Sequence, residues 1–134
     1  MSEQIIIDAA NAVLGRMASY AAKQALLGKS IIVVNCSNAL IIGNIPDIVS
    51  KYKQKIRRGK GSQKGPYFPR IPERIVKRTI RGMLEYTQTR GSDALKRVMC
   101  YNQLPKEFEA AKKISFAKEI KTSSIKLGEL VSKV

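Results

Sequence analysis

The stretch "IIIDAANAVLGRMASYAAKQALLGKSIIVVNC", Ile5 to Cys36, changes its hydrophobic period twice. "IIID" (Ile5 to Asp8) is a short apolar run closed by a polar turn, the pattern of a strand. Leu14, Met17, Ala18, Ala21 and Ala25 then recur at helical spacing,. This Ala-rich helix is expected to end near Leu27, with Gly28 in the left-handed position that closes a helix. "SIIVVNC" follows, a β-branched run apolar on both faces, as in the interior of a covered parallel sheet. The three pieces read as a β-α-β unit with a right-handed crossover.

Working outward, "ALIIG" (Ala39 to Gly43) reads as a third strand. Asn44 can cap the helix after it, with Pro46 and Asp47 in its first turn. Ile45, Ile48, Val49, Tyr52 and Ile56 form the apolar stripe of that helix, and Lys51, Lys53, Lys55 and Arg58 fall mostly off it. A helix resumes after Pro72 with "ERIVKRTIRGML". "SDALKRV" reads as a short helix capped by Ser92, and "VMCY" as a further strand. The chain closes with "SIKLGELVSKV", read as a short C-terminal helix. The class is α/β: a small, mostly parallel four-stranded sheet with helices on both faces and a basic loop-helix insertion between strands three and four. One domain over residues 1–134 is expected, with its core at about 4–105, a basic segment at 51–81 and a tail at 106–134.

The formal charge is +15 and the isoelectric point about 10.1. From Lys51 to Arg81 there are twelve basic residues and one acid, Glu73. Charge this clustered is the footprint of a nucleic-acid binder. Take 100° per residue along the helix after Pro72. Arg70 (were the helix to reach back that far), Arg74, Lys77, Arg78 and Arg81 then share an arc of about 100°, with Val76, Ile80 and Met83 opposite. One face is expected to pack and the other to present cations. "RRGKGSQKGPYFPR", Arg57 to Arg70, precedes it. Arg57, Arg58, Lys60 and Lys64 supply charge, Gly59, Gly61 and Gly65 allow close backbone approach, and Pro66, Pro69 and Pro72 stiffen the path. Tyr67 and Phe68 suit two uses, stacking on unpaired bases or anchoring the loop on the core.

Other chemistries lack their residues. There is no His, so no His-based catalysis, and Cys36 and Cys100 alone make no Cys/His zinc site. Both are expected as buried free thiols. No acidic constellation suits a metal, and Asp8 at a strand end is better read as a turn or cap carboxylate than as an active-site acid. The dinucleotide fingerprint G-x-G-x-x-G is missing, and "LLGKS" lacks the first glycine of a phosphate loop. No cofactor and no small-molecule substrate is expected. No apolar run spans a membrane and the N-terminus has no secretory pattern, so the default expectation is an intracellular location. An RNA-modifying or nucleotide-binding α/β enzyme is the alternative, and it lacks both a cofactor loop and a polar cluster. A sequence-specific DNA-binding module would need a helix-turn-helix or a dimeric basic region, and neither is present.

V-L-G-R-x-A-S (Val13 to Ser19), G-P-Y (Gly65 to Tyr67) and R-G-M-L (Arg81 to Leu84) with a downstream R-G (Arg90, Gly91) occur together. In this combination the chain resembles the large-ribosomal-subunit protein L-thirteen family from about Ile5 to Pro105. Its length and charged tail resemble the archaeal and eukaryotic branch. The resemblance implies a three-layer α/β/α domain and a structural role in the large subunit. It also implies contact with large-subunit rRNA and neighbouring ribosomal proteins, and support of early subunit assembly. It places Arg16, Gly65, Pro66, Tyr67, Arg70, Arg74, Arg78, Arg81, Gly82, Arg90 and Gly91 in matching motifs. Charge adds Lys51, Lys53, Lys55, Arg57, Arg58, Lys60, Lys64 and Lys77 as RNA-contact candidates. Glu85 and Asn102 depart from the pattern, standing where the family commonly has Pro and Gly.

Overall fold

A computed structural model describes residues 3–57, 69–117 and 122–134. The β-α-β unit is formed as expected. β1 (Gln4–Asp8) and β2 (Ser30–Val34) pair in parallel, Ile7 opposite Val33, and α1 (Leu14–Leu26) crosses between them. α1 buries the stripe Leu14, Met17, Ala18, Ala21 and Ala25. Gly28, at φ +96°, turns the chain back into β2, a conformation that any Cβ would strain. Asn35 ends β2 in the left-handed region at φ 60°, and its side-chain amide donates to Asp8 Oδ1 at 3.0 Å. Asp8 also accepts the Ala10 N–H. It is a turn carboxylate, engaged by the residues beside it.

The main sheet has the order β4-β2-β1-β5 and all of its pairs are parallel. β4 is Val98–Cys100, as read from "VMCY". β5 is the two-residue strand Ile114–Ser115, so the fourth strand comes from beyond Pro105, in the segment read as tail. The third strand, β3 (Leu40–Ile42), lies outside this sheet. It pairs antiparallel with β6 (Ser124–Lys126), and the two form a separate ribbon. "SIKLGELVSKV" accordingly divides into β6 and a shorter helix, α5 (Leu127–Lys133), whose Leu127 and Leu130 are buried. The core therefore continues past the boundary expected at 105.

One face of the sheet (Ile5, Ile7, Ile31, Val33, Val98) carries the principal core with α1, α3 (Pro72–Gly82), Ala94 of α4 (Thr89–Lys96), and α5. α2 (Ile45–Arg57) joins it through Ile48, with Val49 and Tyr52 packed at its margin. The other face (Ile6, Ile32, Val34) is covered by Tyr101, Leu104, Phe108 and Ala111. That third layer is one 3-10 turn, Lys106–Phe108, and the chain beside it rather than an α-helix. Both cysteines are free thiols. Cys36 is buried, and a hydrogen bond with Cys100 together with burial pushes its thiol far above the ordinary range. Cys100, opposite Val33 in the register, is only half-buried.

Candidate nucleic-acid interface

α3 starts where its sequence says it should, with Pro72 in the first turn and Glu73 against the positive helix end,. Its N-cap residue, Ile71, offers no side-chain hydrogen bond. The missing acceptor comes from afar: Asn102 Oδ1 takes the Glu73 N–H at 2.8 Å. Asn102 is also held at its carbonyl by the Ser37 hydroxyl, 3.0 Å. The departure at Asn102 thus ties the start of α3 to the carboxyl end of the sheet.

Ile75, Val76 and Ile80 are the buried side of α3. Met83, placed with them by helical projection, is 45% exposed. The helix ends at Gly82, so the 100° rotation stops one residue earlier, and Leu84 turns inward instead. α4 begins at Thr89, ahead of the expected cap Ser92, with Gln88 at its N-cap position. Gly91 explains the earlier start. A Cβ there would overlap the Glu85 carbonyl, so glycine lets the first turn of α4 lie directly on the Met83–Gln88 turn.

The opposite side of α3 carries the cations. Arg74, Lys77, Arg78 and Arg81 line a shallow groove of about 320 Å³, closed by Pro69 and Leu95. Arg81 is steadied over the Tyr86 ring at 4.5 Å, a cation–π contact. Arg70 is exposed just before the groove.

α2 divides its charges between two further depressions. Lys55 faces α3 and lines a cleft of about 620 Å³ that Arg78 also lines. Its ammonium sits 4.9 Å from the centroid of Tyr52, whose hydroxyl burial pushes upward in pKa. Lys53 and Arg57 line a depression of about 710 Å³ on another side of α2, together with Lys133 of α5. Lys51 is exposed and lines none of these three. Arg16 is exposed in the first turn of α1, next to Gly15 of the cleft. Arg90 is exposed in α4. Arg58, Lys60, Lys64 and Tyr67, with the rest of the Gly-Pro stretch through Phe68, lie outside the described residues.

Arg78 is the residue that joins the groove to the cleft, since it lines both. Two participants were not legible as site residues. Lys133 reaches its depression only through the fold of the last helix. Tyr52 looked like core, and its signal as a support was the aromatic three residues before a lysine on one helix face. Among the described residues no group of three or more His, Cys, Asp or Glu could hold a metal ion, and no helix is long and apolar enough to cross a membrane. Phosphate recognition is what this arrangement can do: guanidinium forks and ammonium groups set along two helices, with little acid to oppose them.

The chain is similar to known proteins over most of its length. Residues 2–107 match the model of the family described as ribosomal protein L13. The chain is 46% identical over 104 residues to the large ribosomal subunit protein uL13 of Archaeoglobus fulgidus, covering 78% of this chain and 66% of that one. It is 45% identical over 107 residues to the uL13 of Thermoplasma volcanium, covering 80% and 78%. With the uL13 of Methanosarcina barkeri it shares 42% over 135 residues, 96% of each chain.

Proposed function

The chain belongs to the ribosomal protein L13 family, and from that premise we propose that it is a structural constituent of the large ribosomal subunit which binds large-subunit rRNA through the cationic sides of α2 and α3. Its work is recognition and support of RNA rather than catalysis, in the cytoplasmic ribosome. The observation that carries the reading is the groove on α3, where four cations face outward and the apolar residues of the same helix are buried. Lys and Arg so placed neutralise phosphates and release counterions, and they read the shape of an RNA helix rather than its sequence. Arg57, Arg58, Lys60, Lys64 and Tyr67 extend the same contact along the Gly-Pro stretch. Arg16, Lys51, Lys53, Lys55, Arg70 and Arg90 are its flanks, and neighbouring ribosomal proteins are its further partners. The domain works as one unit over residues 1–134.

The deciding experiment is co-sedimentation. The protein is expected to travel with the large subunit through a gradient after a high-salt wash. Release of the protein at salt that leaves other large-subunit proteins bound would refute a structural role there.

A further inference from the structure

The cleft beside Arg78 has a property that packing among the described residues does not explain. Gly15 and Gly82 both line it, from the first turn of α1 and the last residue of α3. A Cβ at either position would meet nothing within 4 Å among the described residues. Neither glycine has the positive φ that Gly28 and Gly43 adopt. Glycine is a poor helix residue beside alanine, because it gives up more backbone freedom on folding. Among the described residues it serves neither a turn nor a close contact here. Gly91 shows the contrast: its missing Cβ is required by Glu85. The remaining reason for glycine is close approach of something from outside to the helix backbone.

The surroundings say what that something is. The floor is apolar, from Val13, Leu40 and Ile41, and two cations, Lys55 and Arg78, stand at the same cleft. A flat apolar body with an anion attached fits that pairing. The volume of about 620 Å³ lies in the range of small-ligand pockets. Arg78 also lines the cationic groove, so an RNA strand on α3 passes the mouth of the cleft. Unpaired bases splayed from such a strand are the elements proteins take into pockets of this kind.

We propose that this cleft receives one unpaired nucleotide of the bound RNA, its base against the backbone at Gly15 and Gly82 and its phosphate within reach of Lys55 and Arg78. The inference rests on the rRNA-binding reading above. Tyr52 acts as a positioning residue, holding Lys55 by the cation–π contact.

The test is the double variant Gly15→Ala, Gly82→Ala, assayed with purified large-subunit rRNA by filter binding across a salt series. The methyl groups occupy space left open by the described residues, so the melting temperature of the free protein should stay level or rise. Affinity for rRNA should fall about 5- to 150-fold, the range for losing one base contact, with the salt slope unchanged. Ultraviolet crosslinking of the wild-type complex should leave a nucleotide on the peptide that contains Tyr52. Unchanged affinity overturns the proposal. A lowered melting temperature of the free variant also overturns it, because the cleft would then be filled by the chain itself. Normal rRNA affinity with impaired incorporation into subunits overturns it in favour of a protein neighbour. Failure of the wild-type protein to bind rRNA at all would instead remove the reading beneath it.

Discussion

Replace Arg74, Lys77 and Arg81 together by glutamine. All three line the groove on α3, and Arg78 is kept because it also lines the cleft. Each phosphate neutralised contributes about 0.7 to the log–log salt slope on single strands and about 0.9 on duplex. Removing three phosphate-binding cations should therefore flatten the slope by about 2.1 to 2.7. Between about 50 and 200 mM salt the wild-type protein should then lose about 20- to 40-fold more affinity than the variant. A matched control replaces Lys23, Lys106 and Lys112, three exposed lysines away from the groove, and lowers the formal charge of +15 by the same amount. Filter binding to large-subunit rRNA across the salt series reads both. The fold should survive, since Arg74 is exposed and Lys77 and Arg81 are only half-buried, positions where substitution costs little, and loss of the Arg81–Tyr86 contact costs only about 0.5–1 kcal/mol. A thermal melt checks this. If both triples flatten the slope equally, net charge and not the α3 groove governs binding. If neither does, α3 does not face RNA.

Gly91→Ala should destabilise the domain by about 3 kcal/mol or force the α3–α4 turn to rebuild, because its Cβ overlaps the Glu85 carbonyl,. Urea unfolding measures the loss, and a midpoint equal to wild type would show that the turn is not packed on α4. Asn102→Ala removes the acceptor of the Glu73 N–H and should cost about 1 kcal/mol. It should also speed hydrogen exchange at that amide, and unchanged exchange would deny the cap. Cys36 gives a pH dependence. Its folded thiol is held above its unfolded value by Cys100 and by burial, so the folded state keeps its proton longer. The associated stability is fully present below about pH 8.5 and falls as pH rises, by at most about 1.4 kcal/mol per pH unit. Melts of wild type and Cys36→Ala between pH 7 and 10 should converge at the alkaline end. A constant gap would refute the assignment.

The parts of the fold that were legible are those written in short-range pattern. The β1-α1-β2 unit follows from two apolar runs and an Ala-rich stripe, each confined to adjacent residues. The cation arc of α3 follows from helical geometry alone. Met83 failed that projection because the helix stops at Gly82, and a period says nothing about its own end. β3 was legible as a strand but not as a partner of β6, since both are three residues long and their pairing is a property of the assembled chain. β5, two exposed residues on the sheet edge, carries no period at all. The cleft was illegible for the same reason: Gly15, Tyr52, Lys55 and Gly82 come from three helices and acquire a common meaning only when those helices meet.

The position of β5 has a consequence for the order of events during synthesis. β1 pairs on one side with β2 and on the other with β5, Ile7 opposite Ile114. At about 5–20 residues per second, Ser115 is added about 4 to 16 s after Val34 completes the first pair. Throughout that interval the outer edge of β1 offers unpaired backbone groups and the Ile5–Ile7 run to any strand nearby, the usual template for aggregation. The α5 leucines that finish the principal core arrive later still. A nascent chain of this protein therefore emerges with its strongest positive charge already displayed and its sheet still open. A chaperone or an early RNA partner acting on it would have to do so within those seconds.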